Sequence, residues 1–164
     1  MSKALLLGKF SLGMGDRFAR QGRAQLAACQ MAAAQGVTVI PVWNKSNREH
    51  MIVGSEPLSV RAEADSAVAA LGWTTPYHVD ADHINLNTVD RFIAPSDFFT
   101  LDVADAIGRT ADMSAIDEFV TRHGDCGGAF GLTAEKVRAA AVKYLHAVQE
   151  AGRIYRRVEA TRGA

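Results

Sequence analysis

Four βα units followed by a long amphipathic helix are what the sequence predicts, a pattern shared by a small open α/β sheet and by half of a (β/α)8 TIM-like barrel. Two observations predict it. Apolar, β-branched runs alternate with helical patterns at βα spacing, and glycines stand where two of the helical patterns stop, at Gly36 and Gly72. The length of 164 residues, 48% hydrophobic and 22% charged, suits one folded domain, so residues 1–164 are expected to form a single α/β domain.

The first unit reads as extended chain over residues 4–7 and 10–12, then a glycine turn at Gly13 to Gly15, then a helix from about Asp16 to Gln35. Residues 37–43, VTVIPVW, have the composition of a strand buried on both faces, with Pro41 pointing to its end. Asn44 to Gly54 reads as a polar loop, and Ser59 to Leu71 as a helix with Ala62, Ala67, Val68 and Leu71 on one face. A third strand starts at Tyr77 and ends in the polar cluster Asp80 to Ile84. A short helix or turn over residues 86–92 precedes Pro95. Residues 98–103 make a fourth strand candidate, and Met113 to His123 a modest helix before the glycine-rich stretch Gly124 to Gly131. Thr133 is the expected N-cap of the last helix, with Lys136 leaving the capping box incomplete. From there Val137, Ala141, Tyr144, Leu145, Val148, Gly152 and Tyr155 recur at helical spacing to about Arg157, roughly 25 residues or about 37 Å.

Lys plus Arg number 18 and so do Asp plus Glu, a balance that argues against nucleic acid or an anionic membrane surface as the partner and for a small molecule. No stretch approaches 18 apolar residues, and the four-residue apolar run in the opening MSKALLLGKF is too short for a signal peptide. Cys29 and Cys126 stand far apart without a CxxC, which fits reduced thiols and a cytoplasmic protein.

The strongest chemical constellation is Asp80, Asp82 and His83 at the end of a strand, where α/β folds place ligands. Strand alternation puts Asp80 and Asp82 on one face and His83 on the other, unless the chain has begun to turn there. Two carboxylates beside an imidazole hold a divalent ion or supply a base next to one; equally, they cap a helix while the histidine makes a structural hydrogen bond. Asp102 and Asp105 read as helix caps. Gly13 to Phe18, GMGDRF, starts like a dinucleotide fingerprint, but Phe18 replaces the third glycine and no acid lies about 20 residues on, so a nicotinamide site is not expected. Asp16 and Arg17 suit substrate hydroxyls and carboxylate, or a plain surface ion pair. Asn44, Lys45 and Arg48 are side chains that read polyols and acids, or a solvated loop. His78, His123, His146 and Cys126 receive structural readings, and the serines lack a G-x-S-x-G elbow.

Together GMGDRF, VWNKSNREH, VDADHI and FFTLDVADAIG, in that order and spacing, resemble the tagaturonate epimerase family, and the closing stretch from Ala140 looks like that family's long helix. The resemblance covers Gly8 to Gly163 and implies a cytoplasmic, divalent-metal-dependent isomerase with a barrel-like α/β fold that interconverts tagaturonate and fructuronate in hexuronate catabolism. It makes His83 a metal ligand (for Mn, Co, Ni or Zn) and Asp82 the general base. Family members are much longer, and one histidine is short of the about three protein ligands a catalytic metal takes. The chain is therefore expected to be the N-terminal half of such an enzyme, self-associating or completed by a missing C-terminal half, with a small sugar acid as ligand.

The inverted carbinol centre lies β to the ketone, out of reach of simple α-proton removal. Cleaving the bond between the α and β carbons reaches it: Asp82 takes the β-hydroxyl proton, a metal near His83 stabilises the enediolate, and the aldehyde rotates before re-addition. Arg17, Lys45 and Arg48 are the candidate carboxylate clamps, with Asp16, Asn44 and Asp80 also reading substrate. Two other readings compete. One is a small phosphate- or nucleotide-binding module built on the Gly13 to Arg17 turn, and the other an inactive fragment acting through a partner chain.

Overall fold

The computed structural model describes residues 8–124 and 131–163. The expected extension at residues 4–7 and Cys126 lie outside them. Four strands, β1 (Ser11–Gly15), β2 (Ile40–Ser46), β3 (His78–Ile84) and β4 (Phe98–Leu101), form one sheet in the order β1-β2-β3-β4, every pair parallel. Six α-helices are described: α1 (Gly22–Ala34), α2 (Asn47–Val53), α3 (Leu58–Leu71), α4 (Asp90–Ile93), α5 (Met113–His123) and α6 (Ala134–Arg162), with a 3-10 turn at Ala104–Ala106. The mixed α/β class is as the sequence predicts. No described helix is long and apolar enough to cross a membrane.

The described residues group into two compact units, one running to Leu101 and resuming at Arg157, the other spanning Asp102–Arg156. In the first, strand order follows chain order without reversal, so right-handed crossovers bring α1 and α3 to the same face. Met14, Trp43 and Val79 lie side by side across three strands and bury against Leu26 and Cys29 of α1 and Val60, Ala64 and Ala67 of α3. Gly22 lets the two helices meet, since a Cβ there would lie 2.9 Å from Glu63 Cγ. The tail of α6 also belongs to this unit: Arg157 grips both carboxylate oxygens of Asp90, at 2.8 and 2.9 Å, and Arg162 donates to the carbonyls of Ile93 and Ser96.

Several boundaries differ from expectation. Gly13 to Gly15 is strand rather than turn, and α1 begins at Gly22 rather than near Asp16. β2 does not end at Pro41 but runs on through Asn44 and Lys45 to Ser46. Pro41 is tolerated because its neighbour Ile40 donates to Phe10 of the β1 side, which turns the proline nitrogen toward the other edge, where pairing with β3 starts only at Val42. The expected loop after it is largely α2, started by a capping box: Ser46 Oγ accepts from Glu49 N, and the Glu49 carboxylate accepts from Ser46 N. β3 likewise continues through the polar cluster to Ile84. β4 stops at Leu101, and Asp102 Oδ1 accepts from Ala104 N at 3.2 Å just ahead of the 3-10 turn. In the second unit, Ile116 of α5 and Ala141 of α6 bury with Ala111, and Arg138 pairs with Asp117 at 2.6 Å. α6 has 29 residues, about 43 Å, and outruns the expected end at Arg157.

Candidate functional site

Strand alternation sorts the candidate residues onto two faces of the sheet. Opposite the helices, Gly15, Asn44, Asp80 and Phe98 form one row across all four strands, with Ser46 and Asp82 paired one step further toward the C-terminal ends. Asp80 is buried, and its carboxylate accepts from Thr100 N at 3.0 Å and Thr100 Oγ at 2.7 Å. Burial, helped by the charge of Asp82, pushes the Asp80 carboxyl above the usual range against the pull of the Thr100 hydrogen bonds.

Asp82 and His83 sit where β3 breaks register. Ala81 pairs with Phe99 and Ile84 with Leu101, so β3 carries one residue more than β4 between these points, a bulge. His83 takes the left-handed backbone conformation, φ 54°, which costs energy for a side chain with a Cβ and is characteristic of functional sites. The turn cancels the alternation that would have separated the pair: His83 Nδ1 lies 2.6 Å from Asp82 Oδ1. Since a carboxylate only accepts, Nδ1 is the donor in that contact, the arrangement in which a carboxylate orients a histidine. Among the described residues no group of three or more His, Cys, Asp or Glu is placed to hold a metal ion, so the donors present do not by themselves fit the expected divalent ion.

The remaining candidates lie elsewhere. Lys45 faces the helices, almost wholly buried, and its Nζ donates to Ser55 Oγ at 2.6 Å, which in turn meets His50 Nδ1 at 3.0 Å. Burial lowers the Lys45 ammonium's pKa against the charges of Glu49 and Asp16. Arg17 pairs with Glu49 at 3.2 Å, and Arg48 is exposed on α2. Asp16 is buried, with Oδ2 accepting from Arg20 N at 2.8 Å and Gln21 N at 2.6 Å, while Glu63 Oε1 takes Gly22 N at 3.0 Å. The protein's own carboxylates therefore occupy the positions at the start of α1 that a phosphate would need. The structure thus brings together Asn44, Asp80, Asp82 and His83 and sets Asp16, Arg17, Lys45 and Arg48 apart from them.

Sequence reasoning missed Thr100, the partner of Asp80, and Asp97, whose Oδ1 accepts from Val79 N at 2.8 Å and whose Oδ2 lies 3.4 Å from His78 Nδ1. Neither has a local signal, because both act across strands. Glu49 did have one, the S-x-x-E of a capping box.

The sequence profile of a family described as tagaturonate epimerase matches residues 3–127. Three crystal structures of fructuronate-tagaturonate epimerase from Cohnella laeviribosi share the fold. The native one superposes with a TM-score of 0.62 at 22% identity, covering 92% of this chain and 35% of that one. Its complex with one glycerol gives 0.63 at 20%, covering 90% and 34%. The complex with two glycerols gives 0.59 at 22%, covering 88% and 34%. This chain spans about a third of the length of those structures. No curated protein matches the sequence.

Proposed function

Because the chain belongs to the tagaturonate epimerase family, we propose that it forms part of a cytoplasmic enzyme that interconverts tagaturonate and fructuronate in hexuronate catabolism. The observation that carries this reading is the family match itself, which runs through the Asp80 to His83 segment and across the whole sheet. The unreversed strand order supports a further step, that the sheet is one part of a (β/α)8 barrel completed by a C-terminal region or by self-association.

In this reading Asp82 is the base. It takes the proton of the β hydroxyl, the bond between the α and β carbons breaks, and its electron pair passes into the enediolate as the carbinol carbon becomes an aldehyde. Rotation and re-addition on the opposite face invert the centre and return the proton. Asn44 and Asp80 contact the substrate's oxygens from the neighbouring strand and the same strand. A divalent ion belongs to the proposal with His83 as its ligand from this chain. Its other ligands would have to come from the completing C-terminal region or a second copy, and no step is assigned to it.

Incubating the protein with tagaturonate, with and without added Mn, Co, Ni or Zn salts, and following fructuronate by NMR tests the reading. Fructuronate formation that Asp82→Asn abolishes is the expected result. Undiminished turnover by Asp82→Asn refutes its role, and no turnover under any metal condition, in the chain alone or joined to a C-terminal region, refutes the function.

A further inference from the structure

The Asn44 amide stands out on the open face of the sheet. Every other polar side chain beside it is engaged: Asp80 by Thr100, Asp82 by His83. No hydrogen bond to the Asn44 side chain occurs among the described residues, although its backbone carbonyl accepts from Asp16 N at 3.4 Å. The amide is half-buried and lies over bare backbone. A Cβ on Gly13 would come within 3.3 Å of Asn44 Nδ2, and one on Gly15 within 3.4 Å of Oδ1. Gly13 pairs with Val42 and Gly15 with Asn44 itself, so the two glycines flank the amide along β1. From the helix side the floor is pinned: Gln25 Nε2 donates to the Gly15 carbonyl at 2.9 Å, and Trp43 Nε1 holds Gln25 Oε1 at 3.0 Å.

We propose, building on the epimerase reading, that Gly13 and Gly15 seat the Asn44 amide beside Asp80 so that it binds adjacent hydroxyl and carbonyl oxygens of a polyhydroxy keto acid, with Gly13 as the positioning residue. An amide presents one donor and one acceptor side by side, which matches a neighbouring carbonyl and hydroxyl, and an ammonium cannot do the same. Asn44 and Asp80 are register partners on parallel strands, about 4.8 Å apart, close enough to grip neighbouring substrate oxygens. Gly13 acts only through Asn44. A methyl at residue 13 would stand 3.3 Å from Nδ2, tighter than nine in ten Cβ contacts, so the amide must give by a few tenths of an ångström from its seat.

The test is an NMR titration of the 15N-labelled protein with tagaturonate, the Asn44 side-chain amide signal being assigned by its loss in Asn44→Asp. That signal should move and saturate as tagaturonate is added. Gly13→Ala should weaken tagaturonate binding about 10-fold, the size of one lost hydrogen bond, while leaving the unfolding midpoint in place. In an Asn44→Ala background the same substitution should have no further effect. An Asn44 signal that stays still while tagaturonate is bound or turned over overturns the inference, as does a Gly13→Ala penalty that persists without Asn44, or no tagaturonate binding at all. Saturable binding at Asn44 with no fructuronate formed under any metal condition, in the chain alone or joined to a C-terminal region, would overturn the epimerase reading and leave this one standing.

Discussion

Asn44 and Lys45 are chain neighbours on one strand, and they have opposite fates. Lys45 faces α2 and α3, is buried, and gives its ammonium to Ser55. Asn44 faces the other way, over two glycines, with its amide unengaged among the described residues. The same division runs across the sheet: Met14, Trp43 and Val79 build the core on one side, while Gly15, Asn44, Asp80 and Asp82 gather on the other. Lys45, turned toward the helices, is satisfied by the protein itself, and burial without a partner would cost about 1–3 kcal/mol. Asn44, turned away, keeps capacity for a ligand. A polar side chain in this sheet is thus a functional candidate according to its face rather than its residue type.

The largest test of that division is Trp43→Ala against Asn44→Ala. Trp43 has no exposed surface, packs in the helix-side cluster and meets the Tyr77 ring edge-on at 6.0 Å. Its loss should cost about 3–5 kcal/mol in chemical denaturation. Asn44→Ala should cost under about 1 kcal/mol, and comparable losses from both would break the comparison.

The next concerns His50, buried beside Ser55 on the helix side and held down to about 4 by burial and by the charges of Lys45 and Arg91. Its native value lies below the ordinary 6.5, so the imidazole is neutral in the fold. Its contribution is complete above pH 6.5 and is lost as pH falls toward 4, where the unfolded chain binds a proton that the native ring refuses. That loss is about 3 kcal/mol. Denaturation midpoints measured from pH 7.5 to 4 should fall accordingly, and His50→Phe should flatten the slope.

The smallest effect belongs to the open face. Asp80 is a buried carboxyl with a raised native value, so its ionised form weakens the fold at neutral pH, and the penalty is relieved as pH falls through that value. Asp80→Asn keeps a group that Thr100 N and Oγ can meet. It should leave stability unchanged or raise it by up to about 1 kcal/mol while abolishing tagaturonate turnover, and a clear destabilisation would place Asp80 among the structural residues.

Local patterns made much of the fold legible. The helix expected over 59–71 is α3, Met113 to His123 is α5, and the glycine stop at Gly72 is a left-handed cap. These signals are carried within a few turns of one helix. The polar strand ends were harder to read. Residues 44–46 and 80–84 look like loop by composition, yet backbone pairing with neighbouring strands holds them extended. The site was half legible for the same reason. Asp80, Asp82 and His83 stood out as a cluster, but Lys45 could be separated from Asn44 only once β2 was known to continue past Pro41.

By itself the sequence determined the alternation of strands and helices, the positions of most helices, the family resemblance and the Asp80 to His83 cluster, because propensity, periodicity and motif are local properties of the chain. Only the tertiary structure decided which face each polar residue presents, that a bulge and a left-handed His83 bring its ring onto Asp82, and that Asp16 takes the amides of Arg20 and Gln21 just ahead of α1. Those outcomes depend on register between strands distant in sequence. A shift of one residue there would exchange the two faces of a strand.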